Sequence, residues 1–370
     1  MAEGFLRLYK LRFFPYHWSM KNLFHRLKPS STLLGARRWD ILSVGDATLD
    51  IFLAIDQATT DCRIDTKQCE LCLSYADKVP VESVHRVVGG NAANNAVGST
   101  RLGLRGAFFG VTGDDEVSHM IKAKLAAEKV DTSQLTLAKG QMANTSVVLW
   151  HQHERTILIY HEPRKYHWPN NLPPSRYLYF TSMRKGFEKF HPQLLDYLQR
   201  TKAKLVFQPG TFQLALGLKK LLPLIKASEF FVLNREEAAG LLGKPTDMPV
   251  PELMHSLAQY GAKYISITDG QNGAWGCDGQ ACYMVSLFPG ERMEATGAGD
   301  AYATAVTAAL ALGKPFNEAL LWGPVNSASV IGKIGPQAGL LTRPELERRI
   351  RGNKNYKIKI YRHRVSRNQK

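Results

Sequence analysis

The chain has 370 residues, 44% of them hydrophobic and 22% charged, with a formal net charge of +16. This length and composition suffice to bury one large α/β core or two modest ones and exclude a low-complexity chain. The charge lies at the ends: residues 1–38 carry eight Lys and Arg against one acid and residues 343–370 carry eleven against two, so residues 39–342 hold 29 of each sign. A neutral body argues against a nucleic-acid platform.

Residues 1–38 form a basic aromatic extension. Phe5, Phe13, Phe14, Tyr16, Trp18 and Phe24 are interspersed with Arg7, Lys10, Arg12 and Lys21. The mixture suits an amphipathic helix on a membrane surface or an acidic partner, and equally an extension without order of its own. It has no continuous apolar segment of the kind a secretory signal needs, and its acid-poor character leaves an organellar transit peptide open. No run of eighteen apolar residues predicts a membrane span, and a cytoplasmic location is the expectation.

From residue 40 onward, strands and helices alternate. Short runs rich in Val, Ile and Phe at 41–44, 107–111, 177–180, 205–207, 230–233 and 264–267 predict buried parallel strands. Helical stretches lie between or after them at 92–102, 116–128, 191–200, 236–242, 251–260 and 299–312, several closed by Gly or Pro. Repeated βα units of this kind specify an open α/β sheet, doubly wound and mostly parallel, with helices on both faces and ligands at the carboxyl ends of the strands. Segments 145–150 and 155–160 break the rhythm as a hairpin, and 51–88 is too long for a simple βα turn. Together, 51–88 and 141–162 predict a small β lid that would exclude water from a reacting centre and offer edge strands to a second copy.

Five cysteines, an odd number, favour a reducing compartment over a disulfide scaffold. Cys62, Cys69 and Cys72 cluster, but a single C-x-x-C is a weak zinc signal, with His85 the nearest further ligand in the chain. The end of the chain, 343–370, reads as a solvated basic arm, with RNA or polyphosphate contact as the sharper alternative.

Residues 294–302, Glu-Ala-Thr-Gly-Ala-Gly-Asp-Ala-Tyr, carry the clearest chemistry. Gly297, Ala298 and Gly299 let backbone N–H groups approach an anion, and the following helix adds the positive end of its dipole. Asp300 then stands where a carboxylate can take a proton from a hydroxyl while those N–H groups hold phosphoryl oxygens. A turn and cap without chemistry is the plainer alternative.

A second constellation, Val88-Gly89-Gly90-Asn91-Ala92-Ala93-Asn94-Asn95-Ala96, opens the helix that ends in Arg101-Leu102-Gly103. With 294–302 some two hundred residues later, it resembles the two signature regions of the ribokinase-like, or PfkB, carbohydrate kinase family, over about 40–342. The resemblance implies a ribokinase-like fold and an ATP- and Mg2+-dependent kinase that phosphorylates a primary alcohol of a sugar or sugar-like molecule. In it, Asp300 is the general base and Gly297, Ala298 and Gly299 form the anion hole. Thr48 and Asp50, in Gly45-Asp46-Ala47-Thr48-Leu49-Asp50, would hold acceptor hydroxyls together with Gly89, Gly90 and Asn94. Asn234 and Glu237 match the Asn-x-x-Glu motif that orders magnesium, with Glu237 acting through water; the same pair would also make a capping box. Thr268 and Gly270 fall in the turn beneath the nucleotide, and Asn326 falls near the adenine pocket. Glu294 and Ala295 stand where many members have Asp-Thr, an aspartate that helps bind a monovalent cation, so such a cation is left open. A nucleoside kinase is the alternative within the same chemistry, its base walled by Phe52, Trp150, Tyr160 or Tyr166. A binding protein acting through its basic tails is the alternative outside it.

Overall fold

The structure, a computed structural model, describes residues 38–63, 68–152 and 154–361. The N-terminal extension and the last nine residues lie outside them, and so do the expectations placed there. The strands are β1 (Trp39–Val44), β2 (Thr48–Ala54), β3 (Thr59–Arg63), β4 (Gln68–Cys72), β5 (Ser83–Gly89), β6 (Gly106–Gly113), β7 (Asp131–Ala138), β8 (Asn144–His151) and β9 (Glu154–Tyr160), followed by β10 (Ser175–Phe180), β11 (Lys204–Phe207), β12 (Ser228–Asn234), β13 (Tyr264–Thr268), β14 (Ala274–Cys277), β15 (Cys282–Val285) and β16 (Ile358–Tyr361). The α-helices are α1 (Asn91–Arg101), α2 (Glu116–Ala127), α3 (Phe190–Thr201), α4 (Thr211–Leu214), α5 (Leu218–Ala227), α6 (Arg235–Leu242), α7 (Val250–Ala258), α8 (Ala298–Ala311), α9 (Phe316–Ile331) and α10 (Arg343–Gly352).

Ten strands form one sheet in the order β16-β15-β14-β13-β12-β11-β10-β1-β6-β7. It is parallel from β7 across to β13 and antiparallel from β13 to β16. The continuous apolar runs are explained by burial on both faces. On one face Leu42, Leu178, Phe180, Phe207 and Phe231 pack under α3, α5 and α7; on the other Ile41, Tyr179, Val206 and Phe230 meet α8 and α9. Helix α8 is buried nearly all round, which its run of Ala and Thr permits, and it is tied to α1 where Asn95 Nδ2 donates to Thr304 Oγ1 at 3.1 Å.

The lid is a separate four-stranded sheet, β5-β2-β8-β9. Asp50 sits inside lid strand β2, level with Ser146 of β8 and Val87 of β5. Strands β3 and β4 form a further hairpin beside it.

Two expectations are corrected. Residues 343–361 are not a free arm: α10 seats Leu346 in the core, Tyr356 is buried with its hydroxyl on the Leu321 carbonyl, and β16 extends the main sheet. The apolar positions there are spaced too sparsely among arginines and lysines to register as core. The cysteines also pair. Cys62 bonds Cys69 and Cys277 bonds Cys282, each across directly opposed strand positions, and Cys72 is free and exposed. No group of three metal-ligating side chains occurs among the described residues, and no helix among them is long and apolar enough to cross a membrane.

Candidate active site

Two cavities meet at the N-terminus of α8. A polar cleft of 540 Å³ is roofed by the lid and includes Asp46, Thr48, Asp50, Asn94, Arg155 and Asp300 in its wall. An apolar pocket of 470 Å³ is lined by residues including Leu287, Phe288, Tyr302, Pro324 and Ala328. Thr268, Ala295, Ala298 and Gly299 belong to both, so the two form one bipartite groove with the helix terminus at its waist.

Helix α8 begins at Gly297, whose φ of +80° is a left-handed conformation that a side chain disfavours. A Cβ there would also stand 2.5 Å from Pro336 Cβ. The turn aims the head of the helix at the cleft. The Ala298 N–H is spent on the Ala295 carbonyl at 3.3 Å, whereas the N–H groups of Gly299 and Asp300 have no backbone acceptor among the described residues. At this turn, the N–H groups after Ala298, rather than that of Ala298 itself, are therefore the ones open to an anion.

Asp300 is buried with its carboxylate held at both oxygens: Asn94 Nδ2 donates to Oδ2 at 2.8 Å and Gln208 Nε2 to Oδ1 at 3.3 Å. Burial pushes its pKa up to about 6, helped by the charge of Asp50 and opposed by those two hydrogen bonds. A carboxylate with a pKa near 6 is poised for proton transfer close to neutral pH. Asn94, expected on the acceptor, spends its amide on Asp300, while its Oδ1 accepts from Gln337 Nε2 at 3.1 Å. Gln208 and Gln337 were not singled out in the sequence. Gln208 follows strand β11 at its carboxyl end, where the fold class places ligands, and that position was its signal.

Asp50 is also buried, and its pKa is raised by burial, with Glu294 adding to the rise and hydrogen bonds from Thr48 and Ser146 opposing it. Thr48 Oγ1 donates to Asp50 Oδ1 at 2.8 Å, so Thr48 lines the cleft but first of all orients the aspartate. Gly89 lies opposite Thr48, and a Cβ there would come within 2.0 Å of Asp50 Oδ2, which makes the side chain's place depend on the glycine. Gly90 lines the cleft as the residue before α1. Asp46, quoted only as part of a motif, accepts from Tyr166 Oη at 2.9 and 3.0 Å and from the Arg184 N–H at 3.1 Å, with His161 Nδ1 at 3.4 Å.

Asn234 and Glu237 form a reciprocal capping box at the start of α6: Glu237 Oε2 accepts from the Asn234 N–H at 2.8 Å and Asn234 Oδ1 from the Glu237 N–H at 2.7 Å. Both also line the cleft, and burial with the charges of Asp300 and Glu236 pushes Glu237 up to about 6. Thr268 and Gly270 edge the apolar pocket. Asn326 does not line it. It is fully buried, donating to the Ala301 carbonyl at 2.9 Å and accepting from the Leu341 N–H at 3.0 Å, while Pro324, Ser327 and Ala328 from the same helix form the wall. A helix presents only one side to a pocket, and the face with Asn326 points inward.

Comparison with known proteins agrees with the fold. The pfkB family carbohydrate kinase profile matches residues 52–343. The ribokinase of Bacillus subtilis (strain 168) is 26% identical over 278 residues, covering 72% of this chain and 88% of its own length. The fructokinase of Klebsiella pneumoniae is 29% identical over 270 residues, covering 68% and 86%. Among solved structures, a putative ribokinase from Agrobacterium tumefaciens superposes with a TM-score of 0.71 at 21% identity, covering 84% of this chain and 97% of its own, which speaks to the fold.

Proposed function

The chain belongs to the pfkB family of carbohydrate kinases, ATP-dependent sugar kinases, and from that premise we propose that it transfers the γ-phosphoryl group of ATP to a primary hydroxyl of a free sugar or sugar-like acceptor. The observation that favours a sugar over a nucleoside is the wall of the polar cleft. It contains carboxylates, amides, hydroxyls, aliphatic side chains, the Arg155 guanidinium and the His161 imidazole, but no Phe, Tyr or Trp. The four aromatics considered as a base clamp are used elsewhere: Phe52 is in the core, Tyr166 is on Asp46, Tyr160 is on Glu162, and Trp150 lies outside the cleft wall.

In this proposal, Asp300 accepts the proton of the attacking hydroxyl, and Asn94 and Gln208 fix the direction of its oxygens. Asp50, held by Thr48, accepts hydrogen bonds from neighbouring hydroxyls of the acceptor. The N–H groups of Gly299 and Asp300 face the transferred phosphoryl group, and Thr268, Gly270 and the apolar pocket seat the nucleotide. Glu237 fits a magnesium ion bound largely through phosphates and water, because its Oε1 is free of the capping box and a raised carboxylate beside Asp300 favours a nearby cation. Magnesium supplies charge neutralisation to the phosphates there. Glu294 does not call for a monovalent cation, since Arg155 already stands 3.7 Å from its Oε1.

The test is a panel of pentoses, hexoses and nucleosides as acceptors with ATP and magnesium. Turnover with a sugar, uninhibited by adenosine in excess, is expected; turnover with nucleosides alone would replace this reading by the nucleoside one. We also propose that the exposed edge of β9 pairs two copies, since Leu158, Ile159 and Tyr160 are each about half exposed on a strand bonded on one side only. A cytoplasmic location is proposed on the kinase reading alone, since the two disulfides remove the cysteine argument for a reducing compartment.

A further inference from the structure

The tip of the lid touches the main body at the segment that leads into the anion turn. In the β8–β9 hairpin, Trp150 lies opposite Arg155 and His151 opposite Glu154. Glu154 Oε1 accepts from Arg292 Nη2 at 3.1 Å, and Arg155 Nε lies 3.7 Å from Glu294 Oε1. The two pairs are not equivalent. Glu154 and Arg292 are largely exposed, a setting in which an ion pair contributes little. Glu294 is 1% exposed, and its Oε2 has no hydrogen-bond partner.

Glu294 has a second contact that gives the pair its consequence. Its Oε1 accepts from the Thr296 N–H at 2.6 Å and also from the Thr296 hydroxyl. Thr296 is the residue before Gly297, where the chain turns into α8. A buried carboxylate without a countercharge is costly, and it relieves that cost by taking a proton or by moving toward solvent. Either change loosens the bond that fixes Thr296. The only side-chain cation within ion-pair distance of Glu294 among the described residues is carried by the lid.

We propose that Arg155 is a positioning residue for phosphoryl transfer: by neutralising Glu294 when the lid lies over the cleft, it holds Thr296 and the anion turn in their working geometry. Lid closure and assembly of the anion hole are then one event, so the phosphoryl donor is engaged only when water is excluded. The proposal rests on the kinase reading for its functional meaning, though the structural coupling stands independently of it.

Hydrogen exchange of the protein without substrates tests the coupling directly. In Arg155→Met the peptide carrying Thr296 exchanges faster than in wild type, Arg155→Lys restores slower exchange, and peptides from β10–β12 are unchanged. Turnover supplies the second arm. Arg155→Met lowers kcat by about 10- to 100-fold, the scale of a small misplacement at a reacting centre, and the same substitution made in Glu294→Gln lowers it little further, because the charge it served is gone. Equal exchange in wild type and Arg155→Met, or the same fold loss of kcat in both backgrounds, overturns the proposal. A wild-type protein inactive with every acceptor would count against the kinase reading, while the exchange comparison would still decide the role of Arg155.

Discussion

Asp300, as the proposed base, faces opposite demands from folding and catalysis. Its pKa of about 6 in the folded chain, against an ordinary aspartate value of 3.8, means that the native state holds the proton more tightly than the unfolded one. The favourable contribution of protonated Asp300 is therefore complete below about pH 4 and lost as pH rises through about 6, a difference on the order of 3 kcal/mol. In the proposed mechanism activity runs the other way, since a general base works ionised. Asp300→Asn is thus expected to melt at a higher temperature than wild type at pH 8, with the gap closing toward pH 5. A gap that stayed constant across that range would mean that the aspartate is not strained by burial. Asp50 shares the direction of the shift, again with burial as its largest cause.

At the scale of elements, six of the seven parallel strands were legible because burial on both faces leaves continuous runs of Val, Ile and Phe bounded by turns, whereas the parallel strand β7, with exposed and half-exposed polar positions, and helix α5, between β11 and β12, were not. The lid hairpin was legible as two β-rich segments flanking a polar turn. Other elements escaped as well. Helix α9 carries Pro324 inside it and is too apolar to show one face; α10 hides a single buried leucine among charges; and β14–β16 are four-residue strands whose pairing is set by contacts distant in sequence. Leu346 makes the point measurable. It is wholly buried beside Tyr356 and Ile350, so Leu346→Ala should cost about 2–5 kcal/mol in chemical denaturation. A loss under 0.5 kcal/mol, the scale of a surface change, would return residues 343–361 to the status of an arm.

The site was legible to the same extent as its local motifs. Gly297, Gly299 and Asp300 are neighbours in the chain, so their geometry is written in one turn, whereas Gln208, Gln337 and Arg155 reach the site from strand ends, a loop and the lid. Such meetings depend on the tertiary fold, and a single sequence leaves no periodic trace of them. Asn326 shows the converse error, because a residue can sit at the right depth in the chain and still face the core.

For the whole molecule, the lid sheet is both the roof of the cleft and a surface with an open edge. Ile157 and Ile159 line the cleft, whereas Leu158 projects from the opposite side of the strand at 54% exposure. If a second copy covers that edge, Leu158→Glu should shift the protein from dimer to monomer in sedimentation equilibrium while leaving its far-UV spectrum intact. A wild-type monomer at all concentrations would remove the dimer from the account. The basic residues of α10 and β16 remain on the surface of the folded body, and their charge contributes to solubility irrespective of any partner.

The most direct test of the central claim is acceptor-dependent ADP formation from ATP and magnesium by wild type and by Asp300→Asn. Sugar-dependent turnover that falls by about two to four orders of magnitude in the variant, with ATP binding retained, is the expected result. Turnover of the variant within a few-fold of wild type would contradict it, because the proton would then be taken by another group and the geometry around α8 would have been misread.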